Sequence, residues 1–133
     1  MDNTVTPHIL KLRIRNNIID YLGLASSPTE QRDYERRVPI AQVPNEIINQ
    51  WEDSVDSTDF GWYSEPEYSL DEQTALKDFN RVWNLVADET PNPLPYSVDA
   101  LIGTPIWQRL IDAAGDALRV FEKRGRIASE SND

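Results

Sequence analysis

The chain of 133 residues contains no cysteine and only one histidine, His8. The first absence removes disulfide frameworks, thiolate metal sites, iron–sulfur ligation and cysteine nucleophiles together. With His8 alone, zinc sites and Ser/His/Asp-type triads lack most of their usual members, and His8 itself reads as an exposed residue at a helix start. Glycine is scarce as well: the five present never approach the GxGxxG or GxxxxGK[ST] spacing that cradles phosphate. No window approaches 18 consecutive apolar residues, and MDNTVTPH has neither the basic flank nor the apolar run of a secretory signal. These absences lead us to expect a soluble, cytoplasmic protein with no membrane contact, no cofactor and no metal.

Positive charge is missing from one region in particular. Residues 41–104 hold two Lys/Arg against thirteen Asp/Glu, whereas residues 1–40 hold six against five and residues 105–133 hold five of each. The whole net charge of −10 therefore arises in the middle of the chain. Nucleic-acid binding depends on cations that neutralise phosphate, so that surface would repel a polyanion. A basic protein would be drawn to it, and no nucleic-acid partner is expected.

What the chain does have is hydrophobic mass: 39% apolar residues, four of them Trp. The length suits one domain, which buries roughly two-thirds of its unfolded surface. Thr6-Pro7 reads as an N-cap with proline at the first helical position, followed by Leu10, Ile14, Ile18, Tyr21 and Leu22 on one stripe. Ile9, Leu12 and Ile19 form a second row, and Gly23 is placed to supply a left-handed cap. Leu10, Leu12 and Ile14 also alternate with Lys11, Arg13 and Arg15 as an edge strand would, but the caps and the length of the pattern favour helix. Ser27 and Glu30 match a capping box for a mostly polar second helix that Pro39 stops. A third helix opens at Pro44 and carries Ile47, Ile48, Trp51 and Val55. Ser69 and Glu72 form another capping box ahead of Ala75, Leu76, Phe79, Val82, Trp83 and Val86. Three prolines within Pro91–Pro95 forbid helix there, and Thr104-Pro105 opens a last helix built on Trp107, Leu110, Ile111, Ala114, Leu118 and Phe121. Lys123, Arg124 and Arg126 complement the negative end of its dipole, and Gly125 ends it. The expected fold is all-α: a single domain over residues 1–133, an irregular bundle of four to five helices, with frayed tails at 1–5 and 127–133.

Between the third and fourth helices lies DFGWYSEPEY, Asp59 to Tyr68, rich in both aromatic and acidic residues. Its DFG matches the kinase magnesium motif in letters only, since neither a Gly-rich loop nor a catalytic loop precedes it. Counting twelve residues from Asp56 puts Gly61 sixth and Glu67 twelfth, as in a helix–loop–helix calcium site. Thr58 and Phe60 then fall on ligand positions, which leaves too few oxygens for a hard cation. Two carboxylates beside Trp62 and Tyr63 could serve as the acid and base of a glycosidase-type reaction, with Glu65 and Glu67 or Asp56 and Asp59 as the pairs. Trp and Tyr are equally the residues of binding hot spots. They could instead fold inward, with Phe60 and Trp62 covering the gap between the helices.

The leading expectation is a non-enzymatic protein that binds a basic protein partner through the acidic-aromatic loop 53–68, with Asp56, Asp59, Phe60, Trp62, Tyr63, Glu65 and Glu67 as contact residues. Acidic helical proteins of this size include inhibitors of basic nucleases or toxins, an analogy of charge and size alone. The second is a small hydrolase-like enzyme using Glu65 and Glu67, which requires a concave site and a carboxylate with a raised pKa. The third is a homo-oligomeric assembly subunit joined through Ile9, Leu12 and Ile19.

Overall fold

Helix caps written in the sequence set the element boundaries. The computed structural model describes residues 6–128 and places five α-helices there: α1 (Pro7–Ala25), α2 (Pro28–Arg37), α3 (Val43–Ser54), α4 (Leu70–Glu89) and α5 (Pro105–Glu122). Thr6, Ser27, Ser69 and Thr104 each accept the backbone N–H three residues on, as N-caps do. At α4 the box is reciprocal, because the Glu72 carboxylate returns a bond to the Ser69 amide at 3.0 Å. Among the described residues there is no strand, so the all-α expectation holds and the alternation at Leu10–Ile14 belongs to a helix.

One boundary expectation changes. α1 runs straight through Gly23 to Ala25, and Ser26, in right-handed helical geometry, closes it. Positive φ is found instead at Gly103, φ 96°, just before α5, and at Gly125, φ 70°, whose amide bonds the Phe121 carbonyl as the chain leaves α5. Beyond it, Asn16 donates to the Ile127 carbonyl at 2.9 Å and accepts its amide at 3.2 Å. The tail positions 1–5, and 129–133 of the other tail, lie outside the described residues.

α5 packs along α4 and α1, while α3 lies against α1, and their apolar stripes meet in one core. Ile18, Leu22, Ile47, Trp51, Leu76, Phe79, Trp107, Leu110 and Phe121 are all buried there. Tyr21, Trp51 and Phe79 meet with ring centroids 4.6 to 6.0 Å apart, in tilted and edge-on contacts. Every buried polar tip on these rings has a partner: Tyr21 donates to the Ile47 carbonyl, Trp51 to Asn80, Trp83 to the Ile48 carbonyl and Trp107 to Gln31. Gln31 explains how the polar helix α2 attaches. It is fully buried, and its amide also donates to the Leu24 and Ala25 carbonyls at the end of α1.

Candidate functional site

The DFGWYSEPEY segment begins on a carboxylate. Asp56, just past α3, accepts from both the amide and the hydroxyl of Thr58, at 2.9 and 2.5 Å, which turns the chain. The same bonds, side chain first and backbone second, hold the exposed Asp56 carboxyl below its ordinary range against a small opposing effect of burial. A single 3-10 turn, Phe60–Trp62, follows. Tyr63 then points inward, 3% exposed, and its hydroxyl accepts the Asp56 amide at 2.7 Å while donating to the Ser54 carbonyl at 3.2 Å. Tyr68 is fully buried and donates to the Lys11 carbonyl on α1. Tyr63 packs edge-on against Tyr68 at 5.2 Å and against Trp62 at 4.9 Å.

The loop is thus both a plug and a surface. The two tyrosines form the plug, whereas Phe60 and Trp62, for which both an outward and an inward placement were open, are half-buried at its margin. Lys11 stands 5.3 Å from the Trp62 ring centroid and donates to the Ser64 hydroxyl, which ties this margin to α1.

The loop's acidic residues divide. Asp56, Asp59 and Glu65 are exposed, while Glu67 is buried and its Oε2 lies 2.5 Å from His8 Nδ1. Burial raises the Glu67 pKa, but the hydrogen bonds from His8 and from its own backbone amide, with the charges of Lys11 and His8, outweigh this and bring it below the ordinary carboxylate range. An acid–base carboxylate would need the opposite shift. Glu67, twelfth in the calcium-loop count, is engaged by His8, and no cluster of three or more potential metal ligands exists among the described residues.

One turn further on lies a polar centre that the loop does not expose. Glu72, 1% exposed on α4, receives the guanidinium of Arg15, 0% exposed on α1, through bonds of 3.2 and 2.7 Å. Arg124, just beyond α5, reaches the same carboxylate at 3.1 and 2.6 Å and also donates to the Pro66 and Glu67 carbonyls. Arg15 spends its remaining donors on the Gly125 and Phe121 carbonyls. Burial alone would raise the Glu72 pKa, but the bonds from Arg124, Arg15 and the Ser69 amide hold it below the ordinary range. Helix-dipole complementarity accounts for little of what Arg124 does: it binds the base of the loop to the ends of α4 and α5. Arg15 offered no such signal in the sequence, where it alternated with apolar neighbours like a surface charge.

On the outer side, α1, the end of α3 and the loop enclose a groove of about 360 Å³. Leu10 and Ile14 of α1, Val55, Trp62 and Tyr63 supply its apolar surface. Leu10 is 44% exposed, an unusual position for a leucine in this molecule. Around these residues stand Glu52, Asp53, Asp56 and Asp59, all exposed and all without a Lys or Arg partner among the described residues. No Lys or Arg lines the groove.

Of the residues expected to form a site, Asp56, Asp59, Trp62 and Tyr63 come together in this groove. Phe60 and Glu65 are not part of its wall, and Glu67 is committed to His8. Sequence reading missed Leu10 and Ile14, which it assigned to the helix's inner stripe, and Glu52, which lies one residue before its limit. The row Ile9, Leu12, Ile19 does not stand free on α1: Leu12 is buried and Ile19 packs against the core. No helix among the described residues is long and apolar enough to cross a membrane. Compared with protein-family models, curated proteins and solved structures, the chain finds no match in any of the three.

Proposed function

We propose that this protein works by binding, and that its partner is a basic protein held in the groove between α1, α3 and the Asp56–Tyr63 loop. The observation that carries this reading is the pairing of an apolar, Trp-bearing floor with four exposed carboxylates that the molecule itself leaves without a cation. Desolvated apolar contacts and an aromatic anchor supply affinity, and the carboxylates steer encounter and select for positive charge. The hydrolase reading is disfavoured by Glu67, whose pKa is lowered and whose carboxylate is bound to His8.

The test is a triple reversal, Glu52→Lys, Asp53→Lys and Asp59→Lys. Asp56 is left in place because its carboxylate holds the turn at Thr58. A partner captured with the native protein and identified as basic should associate with the variant roughly tenfold or more slowly at low salt, and the difference should shrink as ionic strength rises. An on-rate unaffected by the reversal would remove the groove from the account.

A further inference from the structure

The groove does not end at Ser54. A second hollow of about 350 Å³ shares Asp53 and Ser54 with it and continues between α1 and α3 past Asn17, Tyr21 and Leu24 to Gln50. Along α1 the wall residues of the joined trough are Leu10, Ile14, Asn17, Asp20, Tyr21 and Leu24; Leu10, Ile14, Asn17, Tyr21 and Leu24 follow at steps of four, three, four and three as one stripe of an α-helix, with Asp20 at its edge. From Leu10 to Leu24 this stripe runs roughly 21 Å at about 1.5 Å per residue.

Resting on the reading that the partner is basic, we infer that it presents an amphipathic α-helix of about four turns, lying along the α1–α3 trough with Lys or Arg flanking its apolar stripe. An added strand would need exposed backbone donors and acceptors to pair with. The walls here are helices whose backbone groups are occupied internally, and among the described residues there is no strand edge. A helix needs no such partners, since its main chain is satisfied within itself, and its side-chain ridges fit a groove between two helices. The apolar stations lie at the two ends, Leu10 and Ile14 at one and Leu24 at the other, with Asn17 between them. Neither hollow is lined by Lys or Arg; Asp53, Asp56 and Asp59 stand along the trough from its junction at Ser54 to the loop, while Asp20, beside Tyr21, is paired with Arg126. An adjoining hollow beside Leu118, which shares Asp20 and Leu24 with the trough, differs in having Arg37 in its wall along with Glu30 and Glu122.

The experiment titrates isotope-labelled protein with three model peptides of about 14 residues and equal lysine count. One has leucines on a single helical face, one has the same composition with two of its leucines exchanged for central prolines, and one has serine in place of every leucine. The first should bind at least tenfold more tightly than the second, and it should shift the amides of Asn17 to Leu24 as well as those of Glu52 to Trp62. The serine peptide should move only the Glu52–Asp59 rim. Leu10→Ser should weaken the first peptide several-fold and leave the serine peptide unchanged. Equal binding of the proline-interrupted peptide, or unmoved Asn17–Leu24 amides, overturns the helical occupant while the basic-partner reading stands on the rim shifts. If no peptide moves the rim, the basic-partner reading itself falls.

Discussion

Two groups of carboxylates sit within one acidic segment of this chain and do opposite things. Glu67 and Glu72 are buried, and each is matched: Glu67 by His8, Glu72 by Arg15 and Arg124. Glu52, Asp53, Asp56 and Asp59 are exposed and have no Lys or Arg ion partner among the described residues. A buried carboxylate persists only with partners that replace the water it lost, so the first group is locked into the fold. The second group costs the fold little, because it remains hydrated, and retains its charge for something outside the molecule. Position in the sequence does not distinguish them, since Asp59 and Glu67 are eight residues apart in the same loop. The long-range partners do: His8, Arg15 and Arg124 all come from outside residues 41–104, from the two regions where charge nearly balances.

The sharpest way to break this comparison is Glu72→Ala. It leaves Arg15 fully buried without its carboxylate and deprives Arg124 of its main partner. Truncating one member of a buried pair costs about 3–5 kcal/mol, and the loss should appear as a lowered urea midpoint. Replacing Glu72, Arg15 and Arg124 together by apolar residues should recover part of that loss, since the desolvation cost of the cluster is removed with its charges.

Acid supplies a second probe of the same difference. Both buried carboxyls have folded-state pKa values below their ordinary ones, so their stabilisation is fully present above the unfolded value of about 4.3. It is lost as pH falls through the folded values, because the unfolded chain then binds protons more readily than the native one. Unfolding free energy should be flat from about pH 7 to 5 and decline steeply below about 4.3. Glu72→Gln should flatten that decline.

A smaller effect is expected where the two groups adjoin. Tyr63 stands between the plug and the groove, with one hydroxyl serving both the Asp56 amide and the Ser54 carbonyl. Tyr63→Phe keeps the buried ring and deletes both bonds, at a cost of about 1–2 kcal/mol. Amide exchange at Asp56 should rise more than exchange within α4, because the loss is local.

The helices were legible in the sequence because caps and periodicity are local signals. Ser69 with Glu72, and Thr104 with Pro105, marked the starts of α4 and α5 where the structure has them. Gly23 failed as a terminator because packing carried α1 past it: Ala25 is fully buried and Ser26 closes the helix without a positive φ. The candidate site was half legible. Its acids and aromatics cluster in sequence, but its other wall is Leu10 and Ile14, at least 38 residues away. Nothing local tells a leucine on a broad apolar stripe that it will line a groove rather than a core. Arg15 and Glu72 were concealed for the complementary reason: charge predicts exposure until a partner, 57 residues distant here, makes burial tolerable.

The smallest expected change in stability belongs to the groove acids, and it distinguishes the two groups most cleanly. Glu52, Asp53 and Asp59 crowd like charges around an apolar surface without compensation, so neutralising them to Gln and Asn removes mutual repulsion and no described ion pair. The triple neutralisation should leave unfolding free energy within about 0.5 kcal/mol of the native protein, with any shift in the stabilising direction. The same substitutions should slow association with a basic amphipathic helix several-fold at low salt. A stability loss comparable to that of Glu72→Ala would mean that these carboxylates hold the loop together after all, and would end the division between paired and reserved charge. Native stability combined with weakened binding places their free energy outside the fold, in an interaction with another molecule.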